Sequence, residues 1–305
     1  MAENLLQTSP ALAEGRAARR PSGFWRRLMR SRAATASLAV VVFVTLAALV
    51  GPLVYTVDPT RTDFTHINAA PTPSHPLGTD RLGHDTLARL LAALRVSLLV
   101  ALVVETINIA VGGALGLLAG YFGGWVDTLI SRLADMFFAF PGLLLAILVA
   151  AIFGPYVTEN YGSTARLVLV AGSISLVGWP LMARYVRGQT LSLRERDFVT
   201  AARAVGQSEV GILRLHILPN VVGLVVTAAT LDVVNAIVGE ATLSLLGLGI
   251  QSPSTSIGKM IVEATPFLAQ NGFLVFVPSA TLTLLVLAFS FLGDGLRQAF
   301  DPTGR

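Results

Sequence analysis

Six long apolar runs, nearly free of charge, limit what this chain can fold into. They cover residues 33–57, 96–120, 133–158, 167–183, 215–239 and 264–293. Three of the runs contain no charged residue, and the other three contain one acidic residue each. The hydrocarbon core of a bilayer is about 30 Å thick, so a helix needs roughly 20 apolar residues to cross it. The sequence therefore predicts an all-α, polytopic membrane protein with about six transmembrane helices.

The composition agrees with a membrane protein. Hydrophobic residues make up 53% of the chain, charged residues 13%, and the mean hydropathy is +0.69. A seventh apolar run, 241–250, is too short to span and is predicted to be a re-entrant or interfacial segment. The chain has no cysteine, so disulfide and thiolate chemistry are excluded. Its net charge of +4 does not indicate a nucleic-acid partner, because the arginines follow the membrane topology.

Arginines are concentrated in two stretches, seven before the first run and six between the fourth and fifth. Basic residues favour the cytoplasmic side of a membrane. Both stretches are therefore predicted to be cytoplasmic, which an even number of spans permits. The predicted organisation is a basic cytoplasmic segment 1–32, a first helix 33–57, an extracytoplasmic loop 58–94, a core membrane domain 95–295 with a cytoplasmic loop 184–220, and a cytoplasmic tail 296–305.

A charged, helix-prone stretch interrupts the apolar runs at 197–220. The residues at helical spacing on one face are Phe198, Ala201, Ala202 and Val205. Gly206 is placed to end this helix, and Ser208 is placed to cap a second one. Pro219 is predicted to mark the start of the fifth span. From the pattern alone, this apolar face packs either on the protein itself or on a partner.

The same stretch, "TAARAVGQSEVGILRLHILPN", resembles the cytoplasmic motif of ABC-importer permeases. The matching residues are Ala201, Ala202, Gly206, Leu218 and Pro219. Other segments resemble the C-type permease of dipeptide and oligopeptide importers: "HPLGTD", "GYFGGWVD", "FAFPGLLLAI", "LSLRERDF", "LSLLGLGIQSP" and "LGDGLRQAFDP". They keep the family's order and spacing from residue 75 to 302. Two positions depart from the family: Thr200 replaces its leading glutamate, and His84 stands where it usually has arginine.

The resemblance implies a type I ABC-importer permease fold in a bacterial cytoplasmic membrane. It also implies a second homologous permease, two ATP-binding cassette subunits and an extracytoplasmic peptide-binding protein as partners. The motif would dock into a groove on an ATPase subunit. The residues expected to make this contact are Asp197, Phe198, Thr200, Ala201, Ala202, Arg203, Val205, Gly206 and Pro219. Because Thr200 lacks the carboxylate, the family's ion pair is not carried over; Asp197 and Glu195 are nearby carboxylates.

The chain lacks the glycine-rich phosphate loop of ATPases. Its one lysine, Lys259, follows Gly258, but Met260 stands where that loop needs serine or threonine. We therefore predict a transport subunit without its own ATPase site, no catalytic residues and no cofactor. The three histidines His66, His75 and His84 raise the alternative of a metal site. Their spacing of nine does not place them on one helix face, so none is predicted.

Polar residues inside the apolar runs are candidates for the translocation path. Such groups are costly when they face lipid, so they are expected to face a wetted path or a neighbouring helix. They are Glu105, Asp135, Asp232 and Asn235. A proton relay is the alternative reading of the acids. Gly112, Gly116 and Gly120 form a ridge that predicts close helix packing, either fixed or sliding.

The function that these observations favour is the transmembrane permease subunit of an ATP-driven importer for di- and oligopeptides. Within the same family, nickel or another small solute is the alternative substrate. In a different class, the alternative is a stand-alone ion-coupled secondary transporter. That protein would need no coupling motif, whereas its intramembrane acids would be indispensable. The neighbouring reading frames would discriminate the two classes.

Overall fold

Helices account for most of the described chain, which covers residues 23–300 in the computed structural model. The bounds are α1 Phe24–Leu28, α2 Arg32–Val54, α3 Thr86–Phe122, α4 Gly124–Phe138, α5 Gly142–Arg194, α6 Asp197–Ala204, α7 Glu209–Leu245, α8 Ile257–Ala264 and α9 Phe273–Phe300. No β-strand of more than an isolated bridge occurs within residues 23–300. The all-α prediction is therefore confirmed for this part of the chain.

Five of these helices, α2, α3, α5, α7 and α9, are long and apolar enough to cross a membrane. The longest, α5, has 53 residues and would extend about 80 Å if straight. It is not straight, because Gly162 has φ 78° and ψ −174° and breaks the helix. We call the two parts the first arm (142–161) and the second arm (163–194). The described chain thus has six apolar helical segments of membrane-spanning length.

The two arms of α5 form an antiparallel hairpin. Gly142 lies against Val177, while nearer the break the Arg166 guanidinium donates to the Ala150 carbonyl at 3.4 Å. Positive φ at Gly162 supplies the reversal at no steric cost, since glycine has no Cβ. The third and fourth predicted spans are therefore consecutive halves of one hairpin.

The bundle has two distinct ends. We call the end formed by 184–220 the arginine-rich end and the end formed by the 55–85 loop the loop end. Phe24 and Phe300 stack at the arginine-rich end with ring centroids 4.6 Å apart. Both ends of the described chain therefore lie together, as an even number of crossings requires. Residues 1–22 of the predicted basic segment and 301–305 of the predicted tail lie outside the described residues.

The centre of the bundle is made by α3, α7 and the second arm of α5. Val104 of α3, Ala171 of α5 and Ile237 of α7 are among the fully buried residues of this cluster. Around the centre, α2 packs on α3 and α9, and α8 covers the loop end. The predicted glycine ridge of α3 faces the second arm of α5. A Cβ on Gly112 would lie 2.5 Å from the Trp179 carbonyl oxygen, and one on Gly116 would lie 2.5 Å from that of Ala183.

Several predicted boundaries differ from the observed ones. The run at 241–250 forms no segment of its own, because α7 continues to Leu245 and a turn follows. The second span begins at Thr86, inside the stretch predicted as loop 58–94, where Asp85 caps α3 by accepting from the Ala88 amide at 2.8 Å. Hydrophobicity marks the part of a helix that lipid surrounds, and a helix can extend beyond it.

Candidate functional site

A short helix, α6, lies at the arginine-rich end between α5 and α7. Its first turn carries Asp197, which suits the positive end of the helix dipole. Its last turn closes in a Schellman motif: the Gly206 amide donates to Arg203 O at 3.0 Å, and the Gln207 amide donates to Ala202 O at 3.1 Å. Gly206 has φ +79°, the left-handed conformation that this motif needs. The prediction that Gly206 ends the helix is confirmed.

The residues that α6 buries differ from those on the apolar stripe that the sequence pattern indicated. Ala202 is 7% exposed and packs with Val199, which is fully buried. Phe198 is 41% exposed and Val205 is 83% exposed. The predicted stripe is therefore split, because Ala202 belongs to the inner face. Val199, not assigned to the site from sequence, is the residue that anchors this face.

The outward residues of α6 form what we call the outer face, defined by Phe198, Ala201 and Val205. Asp197, Thr200 and Arg203 are exposed beside it. Val199 and Ala202 are three residues apart and share the side of the helix that turns toward the bundle, while the outer residues lie on the neighbouring, solvent-exposed side. The structure thus separates the sequence-predicted coupling residues into an exposed set and the buried Ala202.

Side-chain contacts hold α6 to the adjacent spans. The Arg203 guanidinium lies 5.6 Å from the ring centroid of Tyr121, the penultimate residue of α3. The Tyr121 hydroxyl in turn donates to Glu209 at the start of α7. His216 Nε2 lies 2.9 Å from Gln207 Oε1, which joins the turn after α6 to α7. These contacts, which the sequence pattern did not indicate, connect α6 to both α3 and α7.

The second helix of the motif is not separate from the membrane span. Ser208 caps it as predicted, accepting from the Gly211 amide at 3.2 Å. The helix then continues through Pro219 to Leu245, with a π-helical segment at Leu213–Ile217. The wider π turn precedes the proline, whose missing N–H leaves one helical bond unmade. As predicted, Pro219 stands in the first turn of the regular α-helical part Leu218–Leu245, although the continuous helix α7 already begins at Glu209.

The helix α4 is tied to the second arm of α5 by two ion pairs. The Asp127 carboxylate accepts hydrogen bonds from Arg187 Nε at 2.5 Å and from Arg187 Nη2 at 2.7 Å. The hydrogen bond from Arg187 lowers the pKa of Asp127 below its ordinary value. Asp135 pairs with Arg184 at 2.7 Å, with both side chains about half exposed. Asp135 was expected to face either a wetted path or a neighbouring helix, and in the structure it lies on α4 in this interhelical ion pair.

Three of the four polar candidates do come together, between α3 and α7. Asp232 accepts from Asn235 Nδ2 at 2.9 Å and from Asn108 Nδ2 at 3.1 Å. Glu105, 5% exposed, interacts electrostatically with Asp232. Asn108, missed from the sequence, opens the π-helical segment Asn108–Gly113 within α3. An amide inside an apolar run was the signal that could have identified it.

At the loop end, the three histidines each pair with a different aspartate through Nδ1. The pairs are His66–Asp63 at 2.9 Å, His75–Asp85 at 2.7 Å and His84–Asp80 at 2.9 Å. Burial alone would raise the pKa of Asp80, but hydrogen bonds from His84 and the charge of Arg89 outweigh it and hold that pKa below its ordinary value. Within residues 23–300, no group of three or more histidine and acidic side chains has the geometry of a metal site.

Comparison with known families decides what this architecture belongs to. Residues 112–305 match the family described as the binding-protein-dependent transport system inner membrane component. Residues 22–71 match the N-terminal transmembrane domain of oligopeptide transport permease C. The chain belongs to this permease family. The resemblance seen in the sequence is thereby confirmed.

Individual permeases of the family are similar along nearly their whole length. The glutathione transport system permease protein GsiD of Pectobacterium atrosepticum is 38% identical, over 92% of this chain and 90% of that protein. The dipeptide transport system permease protein DppC of Alkalihalophilus pseudofirmus is 36% identical, over 91% of this chain and 88% of that protein. The oligopeptide transport system permease protein OppC of Mycobacterium bovis is 37% identical, over 92% of this chain and 94% of that protein.

A solved structure shares the fold. The chain aligns with an inward-facing structure of the MetNI methionine ABC transporter over 70% of its own length and 96% of the solved chain, with a TM-score of 0.55 and 20% identity. The fold is thus that of a type I ABC-importer permease. The chain is an ABC-importer permease of the inner membrane, and it is a transport subunit, not an enzyme. Importers of this family work with separate ATPase subunits and a binding protein.

Proposed function

We propose that this permease imports di- or oligopeptides and forms half of the translocation path beside a second, homologous permease. The other partners would be two ATP-binding cassette subunits and an extracytoplasmic peptide-binding protein. The dipeptide, oligopeptide and glutathione systems named for its relatives support a peptide substrate. With six apolar segments and both described ends together, the arginine-rich end would face the cytoplasm under the positive-inside rule.

The outer face of α6 would be the surface that docks on an ATPase subunit. The observation that carries this proposal is the exposure of Phe198 and Val205 on a helix whose inner residues, Val199 and Ala202, are packed against the bundle. Apolar side chains of this size at an aqueous surface fit a helix-in-groove contact. Force applied there would reach α3 through Tyr121 and α7 through Glu209 and His216. Movement of the ATPase subunits would thus be transmitted to two helices at the centre of the bundle.

A pair of substitutions, one on the exposed and one on the buried side of α6, tests this surface. Ala201→Glu places a charge on the outer face, so the assembled importer should keep normal amounts of permease but lose its ATPase subunits and peptide uptake. Ala202→Glu buries a charge beside Val199, so it should lower the melting temperature of the permease itself. Thr200→Ala, an exposed neutral change, is the matched control. If Ala201→Glu retains the ATPase subunits and full uptake, the outer face is not the docking surface.

The substrate is tested by uptake into proteoliposomes that hold the complete importer and its binding protein. A labelled dipeptide should accumulate when ATP is supplied, and excess unlabelled peptide should suppress it. Nickel at the same concentration should neither compete nor accumulate. ATP-dependent nickel uptake that peptides do not inhibit would replace the peptide assignment with the metal one, leaving the permease family unchanged.

A further inference from the structure

A cavity of about 780 Å³ opens between the second arm of α5, the first half of α7 and the end of α9. Its walls are mainly apolar, with Met182, Leu224 and Phe300 among them. Two charged side chains line it: Asp232 toward the middle of the bundle and Arg297 toward the arginine-rich end. The cavity therefore presents one negative and one positive group to whatever enters it.

The negative end holds more acceptors than donors. Both Asp232 carboxylate oxygens accept an amide hydrogen, one from Asn108 and one from Asn235, which fixes the carboxylate in place. Beside it, Glu105 is 5% exposed and neither of its oxygens has a hydrogen-bond partner in the described chain. The Oδ1 atom of the fully buried Asn108 also has none. Glu105 and Asn108 are not among the residues that line the cavity, so Asp232 is the negative group that a ligand meets, and a cationic donor makes the strongest bond to a carboxylate.

The positive end is available to a ligand. Arg297 is exposed on the last turns of α9, and the structure gives it no ion pair or hydrogen bond to residues 23–300. Gly293 contacts Leu231 and Phe300 contacts Gly223, which sets the register of α9 on α7. This register places Arg297 about 8 Å from the level of Asp232 along the helix axes, at about 1.5 Å per residue.

A ligand with an amine at one end and a carboxylate at the other, offset along the helix axes by about this amount, is a short zwitterion. An extended peptide advances about 3.5 Å per residue, so the ends of a two- or three-residue peptide match the spacing. We propose that the cavity holds the charged ends of a short zwitterionic peptide during translocation, its ammonium group at Asp232 and its carboxylate at Arg297. The amides of Asn108 and Asn235 would position the Asp232 carboxylate. The inference rests on the proposed peptide transport and assigns to it two specificity-determining residues.

The test uses the complete importer in proteoliposomes and three forms of one tripeptide. They are the free peptide, its N-acetyl form and its C-amide form, built on a sequence for which the binding protein shows equal measured affinity for all three. The maximal uptake rate at saturating binding protein then reports translocation and not capture. Asp294→Asn and Arg132→Gln, exposed changes outside the cavity, are the matched controls and should leave all three rates unchanged.

The expected result is a crossed pattern. Asp232→Asn should slow the free and amidated peptides about tenfold and leave the acetylated one unchanged, because the latter has no ammonium group. Arg297→Gln should slow the free and acetylated peptides by a similar factor and leave the amidated one unchanged. Equal losses for all three forms, or no losses, would overturn the inference while peptide transport stands. An unaltered importer that moves none of the peptides would refute the proposed function, and this inference with it.

Discussion

Gly206 determines how α6 ends and in which direction the chain enters α7. Its amide closes the Schellman motif with Arg203, and its φ of +79° turns the chain so that Ser208 can cap the next helix. A residue with a Cβ adopts this conformation only with strain. The contact between α6 and the start of α7 therefore depends on one backbone angle.

Gly206→Ala should lower the stability of the permease by about 1 kcal/mol or more. A Cβ there meets no neighbouring atom, so the cost is conformational and not steric. Gly188→Ala is the matched control: its Cβ also meets nothing, but Gly188 lies inside the regular second arm of α5, where alanine is favoured. Thermal unfolding of the purified permease measures both. Equal melting temperatures for the two variants would show that the turn carries no strain.

Asp80 gives the loop end a defined response to acid. Its folded-state pKa lies below the ordinary value of about 4, so the ionised carboxylate stabilises the loop above that pH. The stabilisation is lost as the pH falls through the lower, folded-state pKa. Wild-type protein should thus resist proteolysis of the 55–85 loop at pH 7 better than Asp80→Asn does.

At pH 7 the loop of the wild type should be more stable than that of Asp80→Asn by roughly 1.5–3 kcal/mol for each charged hydrogen bond that the substitution removes. This difference in stability should shrink below about pH 4. Arg89, which pairs with both Asp80 and Glu263, carries the effect to α8. Limited proteolysis of wild type and Asp80→Asn over a pH series is the measurement. A protection difference that grew on acidification would have the wrong sign for this ion pair.

Among the elements, the contact between α3 and the second arm of α5 depends on residues without side chains. The ridge glycines let backbone meet backbone, and Trp179 and Ala183 fill the space that side chains would otherwise take. The sequence predicted this close approach from a four-residue repeat. It could not identify the partner helix, because residues 112 and 179 are brought together by the hairpin at Gly162.

Gly116→Leu should overpack this contact and destabilise the permease by about 1–3 kcal/mol or more. Gly113→Ala, three residues away on the same helix, is the control, since a Cβ there meets nothing within 4 Å. Size-exclusion melting curves of the two purified variants make the comparison. A Gly116→Leu variant as stable as Gly113→Ala would show that the helices separate easily, as a sliding contact requires.

The whole molecule was largely predictable from its charge-free runs, because a bilayer requires long apolar helices wherever it is crossed. The site was less predictable. Asp135 lies near the start of the predicted run 133–158 but belongs to α4, because the apolar residues at the end of α4 adjoin those of the next helix in the sequence. Glu105 and Asp232 meet through tertiary packing, which periodicity does not describe. In α6, the sequence pattern grouped the buried Ala202 with the exposed residues and did not identify Val199, because eight residues admit more than one apolar stripe.

Topology is the prediction that belongs to the whole molecule. A cysteine at position 70 should react with a membrane-impermeant thiol reagent in intact cells, and one at 207 should react only after the membrane is opened. The native chain has no cysteine, so the background is zero. If position 207 were labelled from outside while position 70 was protected, the orientation would be the opposite of the predicted one. The helix α6 would then lie on the side of the membrane away from ATP.

The packing of α2 has a consequence for how the protein is made. This helix is synthesised before the other apolar helices of the described chain, yet α9, on which it packs, begins about 240 residues later at Phe273. At roughly 5–20 residues per second, α2 waits about 12–50 s in the bilayer before α9 arrives. Its inner face, which includes Ala34, Val44 and Ala48, carries no charge and can meet lipid in the meantime. The apolar character that identifies α2 as a span is therefore also what allows it to be inserted before α9 exists.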